Sequence, residues 1–533
     1  MKNSFTQSMA WLHTWTGLFF GWVLFVVFIG GTLSLFDKEI TRWMQPELAA
    51  AGPLTDEGLE GTIAFLTRTA PDAPVWQFSL PGPRDPAIRT TIRTGKGRGA
   101  GNETTTTLDP STGQEIRSRE TIGGNFFFTL HYSLYAGNVI GIWLVGAAGM
   151  AMLTMLVTGI ITHRRFFKDF FTFRPGASAQ RMWLDAHNVT GVLVLPFYFM
   201  IAFTGLAVFY ATLMPSGLYA LYAKNPGAYF TEVLHFNRPP PPAKEKAPLT
   251  SLVPLFHQAE RELGEDGGIW FIQIANPGHA NAQIGLVQRD GVRLALTRDH
   301  LVFDGVTGAL KDRAISGKLD VPFISTVLSG LHFAQFGGYT VRWLYFMCGL
   351  SGSAMIATGL VLFTVKRRKK QGADTEAAPF FFRLAEAINI AIVAGLMNAS
   401  LGYFWANRLL PLDLAARSGQ EIKCFFFIWL LCLFHALLRA CIARRDHERS
   451  RTRGWIEQYA SAAFLALGLP VLNALTTHDN LAVTLGRGDY GLAGVDLAAL
   501  AGAAIFIGIA RHLGRRPAVP PQHRGKASPA LAE

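Results

Sequence analysis

Long apolar runs and polar stretches alternate along this chain, and the rhythm changes once. Residues 9–36, 131–163, 187–213 and 332–365 each hold an apolar run longer than the ~18–20 residues that span hydrocarbon. The polar stretches between them differ in length: 37–130 and 214–331 are long, whereas 164–186 is short and basic. After a basic linker at 366–381, four further apolar runs follow closely within 382–513, at about 382–405, 422–442, 456–475 and 494–511, before a polar tail at 514–533. The pattern predicts an α-helical polytopic membrane protein of about eight spans, with two soluble segments large enough to fold. The first run is long for the core of a signal peptide, and no small-residue cleavage site follows it, so it reads as a retained helix.

The two soluble segments read as α+β. The first has a helix beginning near Thr55, strand-like runs at 75–80, 88–94 and 103–108, and a turn at Asp109-Pro-Ser-Thr112-Gly113 that separates Thr107-Leu108 from Glu115-Ile116. The second has a Pro239–Pro242 linker, a helix-like stretch at 250–263, and strand-like runs near 269–275, 282–287, 293–297 and 300–303. The string Gly95–Gly101 is glycine-rich, but no helix follows it, so it reads as a loop and not as a phosphate cradle.

Charge then orients the chain. It is half hydrophobic and only 16% charged, yet carries a net charge of +12. The basic residues sit beside the spans. Arg164, Arg165, Lys168, Arg174 and Arg181 mark one loop as cytoplasmic; Lys366–Lys370, the Arg444–Arg453 loop, and Arg515 and Arg516 mark three more. This positive-inside count puts both termini in the cytoplasm and both soluble segments outside, and it gives no reason to invoke nucleic acid. Cys348, Cys424, Cys432 and Cys441 all fall within predicted spans, which argues against a disulfide framework or a cysteine-based metal site.

The first two thirds of the chain repeat. Leu130-His131-Tyr-Ser-Leu-Tyr-Ala-Gly137 matches Leu331-His332-Phe-Ala-Gln-Phe-Gly-Gly338. The spans that follow share Trp143 with Trp343, Gly149 with Gly349, and Thr158-Gly159 with Thr358-Gly359. Upstream, His13-Thr-Trp-Thr-Gly17 matches His187-Asn-Val-Thr-Gly191, and at the same offset Gly31 falls on Gly205. The turn at 109–113 recurs as Asp304-Gly-Val-Thr307-Gly308. Residues 9–170 and 183–370 are two copies of one unit, and residues 380–533 show no sign of it.

Four histidines occupy equivalent positions in the copies. A lone histidine at a helix end is usually an interface residue, but ionisable groups in spans are costly and often functional. The topology puts His13 and His187 at the inner level and His131 and His332 at the outer level. Two imidazoles from facing helices are what a six-coordinate haem iron takes as axial ligands, and two such levels could relay electrons across the bilayer. His163 also lies at the inner level. It replaces an inner ligand, contacts a haem propionate, or belongs to the basic flank. Arg164, Arg165 and Arg342 are further candidates for propionates. Gly31, Gly205 and Gly149 each stand 18 residues, or five turns, after one of the histidines. They serve either the close approach of a porphyrin or close helix packing. Zinc fits less well, since each level offers two or three histidines and no cysteine. His435 and His447 have no repeat partner and read as structural. No nucleophile elbow, Walker loop or dinucleotide fingerprint is present.

The Trp11-Leu-His13-x-Trp15-x-Gly17 opening, the repeated Leu-His motif, the Thr-Gly pairs and the Asp-x-x-Thr-Gly turns together resemble the PepSY-associated transmembrane family. That family includes inner-membrane ferric-siderophore reductases of Gram-negative bacteria. The resemblance covers about residues 9–370 and implies a four-helix core that holds haem b, one or two per chain, with PepSY-like domains in the periplasm. Its ligand set lands on His13, His131, His187 and His332, with His163 as a further member. It implies an oxidoreductase of the bacterial inner membrane in which electrons enter near His13 and His187 from a cytoplasmic or quinol donor and leave near His131 and His332 to a ferric-siderophore. Two rival readings are a membrane-anchored PepSY binding or inhibitory module without redox activity, and a permease.

Overall fold

The computed structural model describes residues 4–515 apart from 94–102, 163–171, 175–177, 223–224, 226–227, 229–239, 264–267, 290–292, 296–298, 315–320, 371–379 and 443–446. His163, Arg164, Arg165, Arg444, the Gly95–Gly101 string and most of the 514–533 tail therefore lie outside the described residues.

Ser4 caps the first span, α1 (Phe5–Ser34), by accepting from Gln7 N. The chain then turns into a short amphipathic helix, α2 (Asp37–Met44), whose Ile40, Trp43 and Met44 are buried. The first soluble segment supplies α3 (Asp56–Thr69), capped by Thr55, and strands β1 (Val75–Ser79), β2 (Ile88–Arg93) and β3 (Glu103–Leu108). Helix α4 (Asn125–Ser133) precedes the second span, α5 (Ile140–Thr162). The second copy begins with α6 (Ala179–Leu193) and α7 (Leu195–Val208). Its soluble segment gives α8 (Leu252–Leu263) and strands β4 (Ile269–Ala275), β5 (Gln283–Gln288), β6 (His300–Asp304) and β7 (Leu310–Ala314). Helices α9 (Val321–Phe333) and α10 (Gly338–Lys370) complete the repeat. The extension adds α11 (Phe380–Leu409), α12 (Arg417–Ile442), α13 (His447–Thr476) and α14 (Tyr490–Gly514). Among the described residues, seven helices are long and apolar enough to cross a membrane, and α6 with α7 makes an eighth if that bent pair is one span. The chain is a multi-pass membrane protein.

The third expected span, 187–213, is therefore not one straight helix. It breaks between α6 and α7 with a 67° bend. Pro196 stands at the start of α7 and has no backbone N–H to continue the ladder. The carbonyl of Thr190 instead accepts from the Tyr198 hydroxyl at 3.0 Å.

A second departure concerns the Leu-His motifs. His131 and His332 stand on α4 and α9, ahead of the spans rather than on them. After each histidine the backbone goes left-handed, at Leu134 (φ 51°), Tyr135 (56°) and Gly137 (81°) in one copy, and at Ala334 (51°), Gly337 (69°) and Gly338 (60°) in the other. The glycine six residues past each histidine thus takes a conformation that glycine adopts at little cost. The motif encodes a helix, a break and a new helix.

The two soluble segments join in one seven-stranded antiparallel sheet, ordered β3-β2-β1-β4-β5-β6-β7. The pairing of β1 with β4 puts Gln77 opposite Gln273 at the pseudo-twofold centre, where the two amides hydrogen-bond at 2.7 Å. Both helices, α3 and α8, cover one face. Their Leu59, Phe65, Leu66, Leu255 and Phe256 share a core with Trp76, Phe78, Ile272 and Ile274. The repeated Asp-x-x-Thr-Gly turns sit at equivalent places. Asp304 leads from β6 into β7, where its carboxylate takes the N–H groups of Val306 and Thr307; Asp109 ends β3 and takes that of Ser111. The lysine amine of Lys311 and the turn N–H groups hold the Asp304 carboxyl well below the usual carboxylate range. No strand is described at 293–297, and β7 extends the sheet beyond the runs expected from the sequence.

The extension packs on the α1 and α2 side of the core through buried polar groups. Trp22 Nε1 donates to Asn389 Oδ1 at 2.7 Å, and Trp43 Nε1 to Asp496 Oδ1 at 2.9 Å. Arg417 and Glu421 form a fully buried pair, and Glu421 also accepts from Thr121 Oγ1 at 2.5 Å. Removing one partner of such a pair strands the other charge, at a cost of about 3–5 kcal/mol. Glu421→Ala should therefore lower the thermal unfolding temperature of the detergent-solubilised protein sharply, and Arg417→Met with Glu421→Leu should recover much of the loss. Equal loss in the double variant would show that the pair is not what anchors this end of the extension.

Candidate functional site

The structure brings the four repeat histidines together two by two. His13 on α1 and His187 on α6 have ring centres 6.3 Å apart, and His131 on α4 and His332 on α9 have theirs 5.9 Å apart. Each pair takes one histidine from each copy. With each imidazole about 2 Å from a shared metal ion, the ring centres fall about 6 Å apart. The spacing of both pairs matches that demand.

Every one of the four rings is tied at Nδ1. His13 Nδ1 lies 3.0 Å from Met155 O and 3.2 Å from Thr158 Oγ1. His131 Nδ1 is 2.8 Å from Val27 O, and His187 Nδ1 is 2.8 Å from Met355 O. A carbonyl only accepts, so in these three rings Nδ1 carries the proton and Nε2 is the basic nitrogen. His332 Nδ1 lies 3.1 Å from Thr204 Oγ1, whose own hydrogen goes to Met200 O at 2.7 Å. That hydroxyl accepts, so His332 has the same tautomer. An outer partner of this kind orients a metal-binding histidine and raises its basicity.

Each ring also rests on a glycine. A Cβ placed on Gly31 would come within 2.7 Å of His131 Nδ1, and one on Gly205 within 2.8 Å of His332 Cε1. At Gly359 it would come within 3.0 Å of His187 Cε1, and at Gly159 within 3.3 Å of His13 Cε1. Gly31 and Gly205 thus make room for the imidazole itself. A Cβ on Gly149 would come within 3.2 Å of the Leu206 side chain, and Gly149 also lines the cavity beside His131 and His332. The Thr158-Gly159 and Thr204-Gly205 pairs supply a tie and a seat together. The ties and seats link helices within a copy: α1 with α4 and α5 in the first, α6 with α10 and α7 with α9 in the second.

The His131–His332 pair opens into a cavity of about 370 Å³, within the size range of small-molecule and cofactor sites. Its walls are apolar, with Val27, Phe28, Met152 and Ile201 among them, and its polar rim carries Lys38, Arg84 and Arg342. Arg342 donates to Leu35 O at 3.4 Å and forms no ion pair among the described residues. Arg84 is engaged with Glu39, at 2.7 Å and 2.5 Å. Burial alone would raise the Glu39 carboxyl, but the Arg84 guanidinium overrides it and holds this group below its ordinary value.

These features suit a haem. His13 with His187, and His131 with His332, would hold its iron, and Arg342 and Lys38 would offer charge to its carboxylates. Among the described residues no three His, Cys, Asp or Glu side chains gather as a metal site, so the ligand demand of zinc is not met there. His435 binds Glu457 at 2.8 Å in the extension, far from either pair in sequence and without a repeat partner.

The protein is thus a multi-pass membrane protein built on a duplicated unit, with two histidine pairs that bridge the copies. It belongs to the family described as PepSY-associated TM region, which matches residues 10–366. It is also similar to the Uncharacterized protein PA4219 of Pseudomonas aeruginosa, at 26% identity over 423 residues, an alignment that covers 75% of this chain and 97% of that relative. The family match ends before α11, so the last four spans fall outside it.

The seats give a test that needs no cofactor. Adding a methyl group to a site this tight costs about 1–3 kcal/mol. Gly31→Ala and Gly205→Ala should each destabilise the protein and should break the Nδ1 tie of His131 or His332, respectively. Nitrogen NMR of histidine-labelled protein should find the Nδ1–H tautomer for that ring in the wild type and lose it in the variant. An unchanged signal in both would show that the glycines are not seats.

Proposed function

We propose that this protein is a haem-bearing membrane oxidoreductase that reduces ferric-siderophore outside a bacterial inner membrane. The observation that carries the reading is the doubled geometry, two cross-copy histidine pairs with ring centres 6.3 Å and 5.9 Å apart and all four Nδ1 atoms tied. The basic flanks support a cytoplasmic N-terminus, a periplasmic sheet and an outer histidine pair beneath that sheet. From His13 to Gly31, the seat of the outer pair, α1 rises about 27 Å, so the two levels lie near opposite faces of the hydrocarbon.

Haem b held at each level supplies a one-electron couple inside the membrane. The chain does the rest. The Nδ1–H donors fix the imidazoles and raise their basicity. The apolar walls keep water from the outer pair, and Arg342 and Lys38 present positive charge at its rim. The ferric ion outside takes one electron and becomes ferrous, and hard-oxygen chelators hold ferrous iron far less tightly. No proton moves in that step, so no acid–base residue is required. A cytoplasmic or quinol donor supplies the electrons.

The test is a reduced-minus-oxidised absorption spectrum of the purified protein, with haem quantified per chain. The expected result is two haems. His131→Ala or His332→Ala should remove one, and His13→Ala or His187→Ala the other. A protein without haem absorption, purified from cells supplied with haem precursor, would overturn the reading and leave the sheet as the working part of a membrane-anchored binding module.

A further inference from the structure

A second cavity, of about 590 Å³, lies where the extension meets the core. The end of α1, the start of α10 and the helices α11, α13 and α14 line it. We propose that it binds an isoprenoid quinone or quinol, with the ring near Ser400 and Tyr339 and the tail along α14.

Four observations carry this. First, Ser400 is 6% exposed and its hydroxyl has no hydrogen-bond partner among the described residues. A serine in a helix can satisfy itself on the carbonyl four residues back, as Ser353 does on Gly349. Ser400 does not, and it lines the cavity, so its donor is left for a ligand oxygen. A buried hydroxyl without a partner is destabilising, and a ligand carbonyl would relieve that.

Second, the polar end is charge-neutral. Arg42 pairs with Asp489 at 2.5 Å, Arg84 with Glu39, and Tyr339 donates to Glu39 at 2.8 Å. A phosphate headgroup would meet no uncommitted cation among these groups, whereas a neutral ring with carbonyl or hydroxyl oxygens meets donors and acceptors it can use.

Third, one wall is an aromatic cluster suited to a flat ring. Phe36 and Trp343 stand 4.8 Å apart, Phe36 and Phe346 5.6 Å apart, and Trp343 and Phe346 5.3 Å apart. Fourth, α14 presents Gly494, Ala498 and Gly502 to the cavity, at helical spacing. A Cβ on Gly494 would meet nothing within 4 Å. That face leaves a smooth slot for a long apolar tail.

The cavity shares a wall with the outer histidine cavity. Leu33 and Phe36 line one, and Ser34 and Leu35 the other; Trp343 lines one, and Arg342 the other. Binding stands on this cavity alone. Its role rests on the proposed function, to which it adds that the donor is a quinol and that electrons enter beside His131 and His332 instead of beside His13 and His187. The quinol gives up two electrons and two protons to become the quinone. The protons pass to water, and each electron reduces one ferric ion, so one quinol serves two ferric complexes.

The experiment titrates the purified full-length protein with decylubiquinone. Quenching of tryptophan fluorescence and dialysis with chromatographic detection both report binding, and Trp343→Phe identifies the quenched reporter. One molecule per chain is expected. Ser400→Ala should weaken binding about three- to tenfold, the worth of one hydrogen bond. Gly494→Phe should fill the open space and abolish binding while leaving thermal unfolding and haem content unchanged. Absence of saturable binding, binding that survives Gly494→Phe, or a phospholipid that mass spectrometry finds retained and that the quinone does not displace would each overturn the proposal. Quinone binding by a protein without haem would leave the cavity assigned and overturn only the oxidoreductase reading.

Discussion

An imidazole that presents one nitrogen to a shared centre must be held by the other, and it must have somewhere flat to lie. That requirement, met four times, organises the first two thirds of this chain. Each histidine is tied and seated by a helix of its own copy: His13 by α5, His131 by α1, His187 by α10 and His332 by α7. The pairs are then made between copies. Orientation is thus settled inside a unit, and only the distance between rings depends on how the units meet. A duplicated membrane unit needs no new contact to make such a site twice. It needs a twofold docking that brings equivalent rings to about 6 Å.

The docking is fixed outside the spans as much as within them. Helices α4 and α9, which carry the outer histidines, follow the two edges of one continuous sheet. The β1–β4 pairing at its centre locks the halves in register through five residue pairs. A slip of one residue would turn every side chain to the wrong face, and Ile272, Ile274, Trp76 and Phe78 are all buried on the face that the helices cover. Arg84, from the loop between β1 and β2, closes the chain of contacts. It reaches Glu39 on α2 and Leu35 O at the end of α1, and it stands on the rim of the outer cavity. Arg84 thus links the sheet to the cavity that His131 and His332 line.

Much of this could be read from the residues. The repeat picked out the four histidines that the structure pairs, because identical side chains at equal offsets are visible without a structure. The helix at Thr55 and the Asp-x-x-Thr-Gly turns were legible from capping and turn chemistry. The ties were not legible, since Val27, Met155 and Met355 contribute backbone carbonyls and any residue there would serve. The Thr-Gly pairs were noticed as a repeat, but their use as seats required knowing which helix faces which ring. The bend in the third span had a signal in Pro196 that the apolar count hides. The fusion of two sheets into one had none, because an edge strand that will pair with a distant copy reads like any other strand.

The extension is held by groups that are expensive to bury. Arg417, Glu421, Arg408, Asp496 and Asn473 lie almost wholly out of water, and they bond to the linker before α4 and to Trp43 of α2. Well-packed apolar residues would serve stability as well or better. A buried polar network does something that apolar packing does poorly, because its partners are satisfied in only one relative placement of the two bodies. Here that placement leaves a cavity lined by the end of α1, the start of α10 and α14, where an apolar interface would tend to close. The buried charges thus fix how the extension docks, and the glycines of α14 keep the space beside it open.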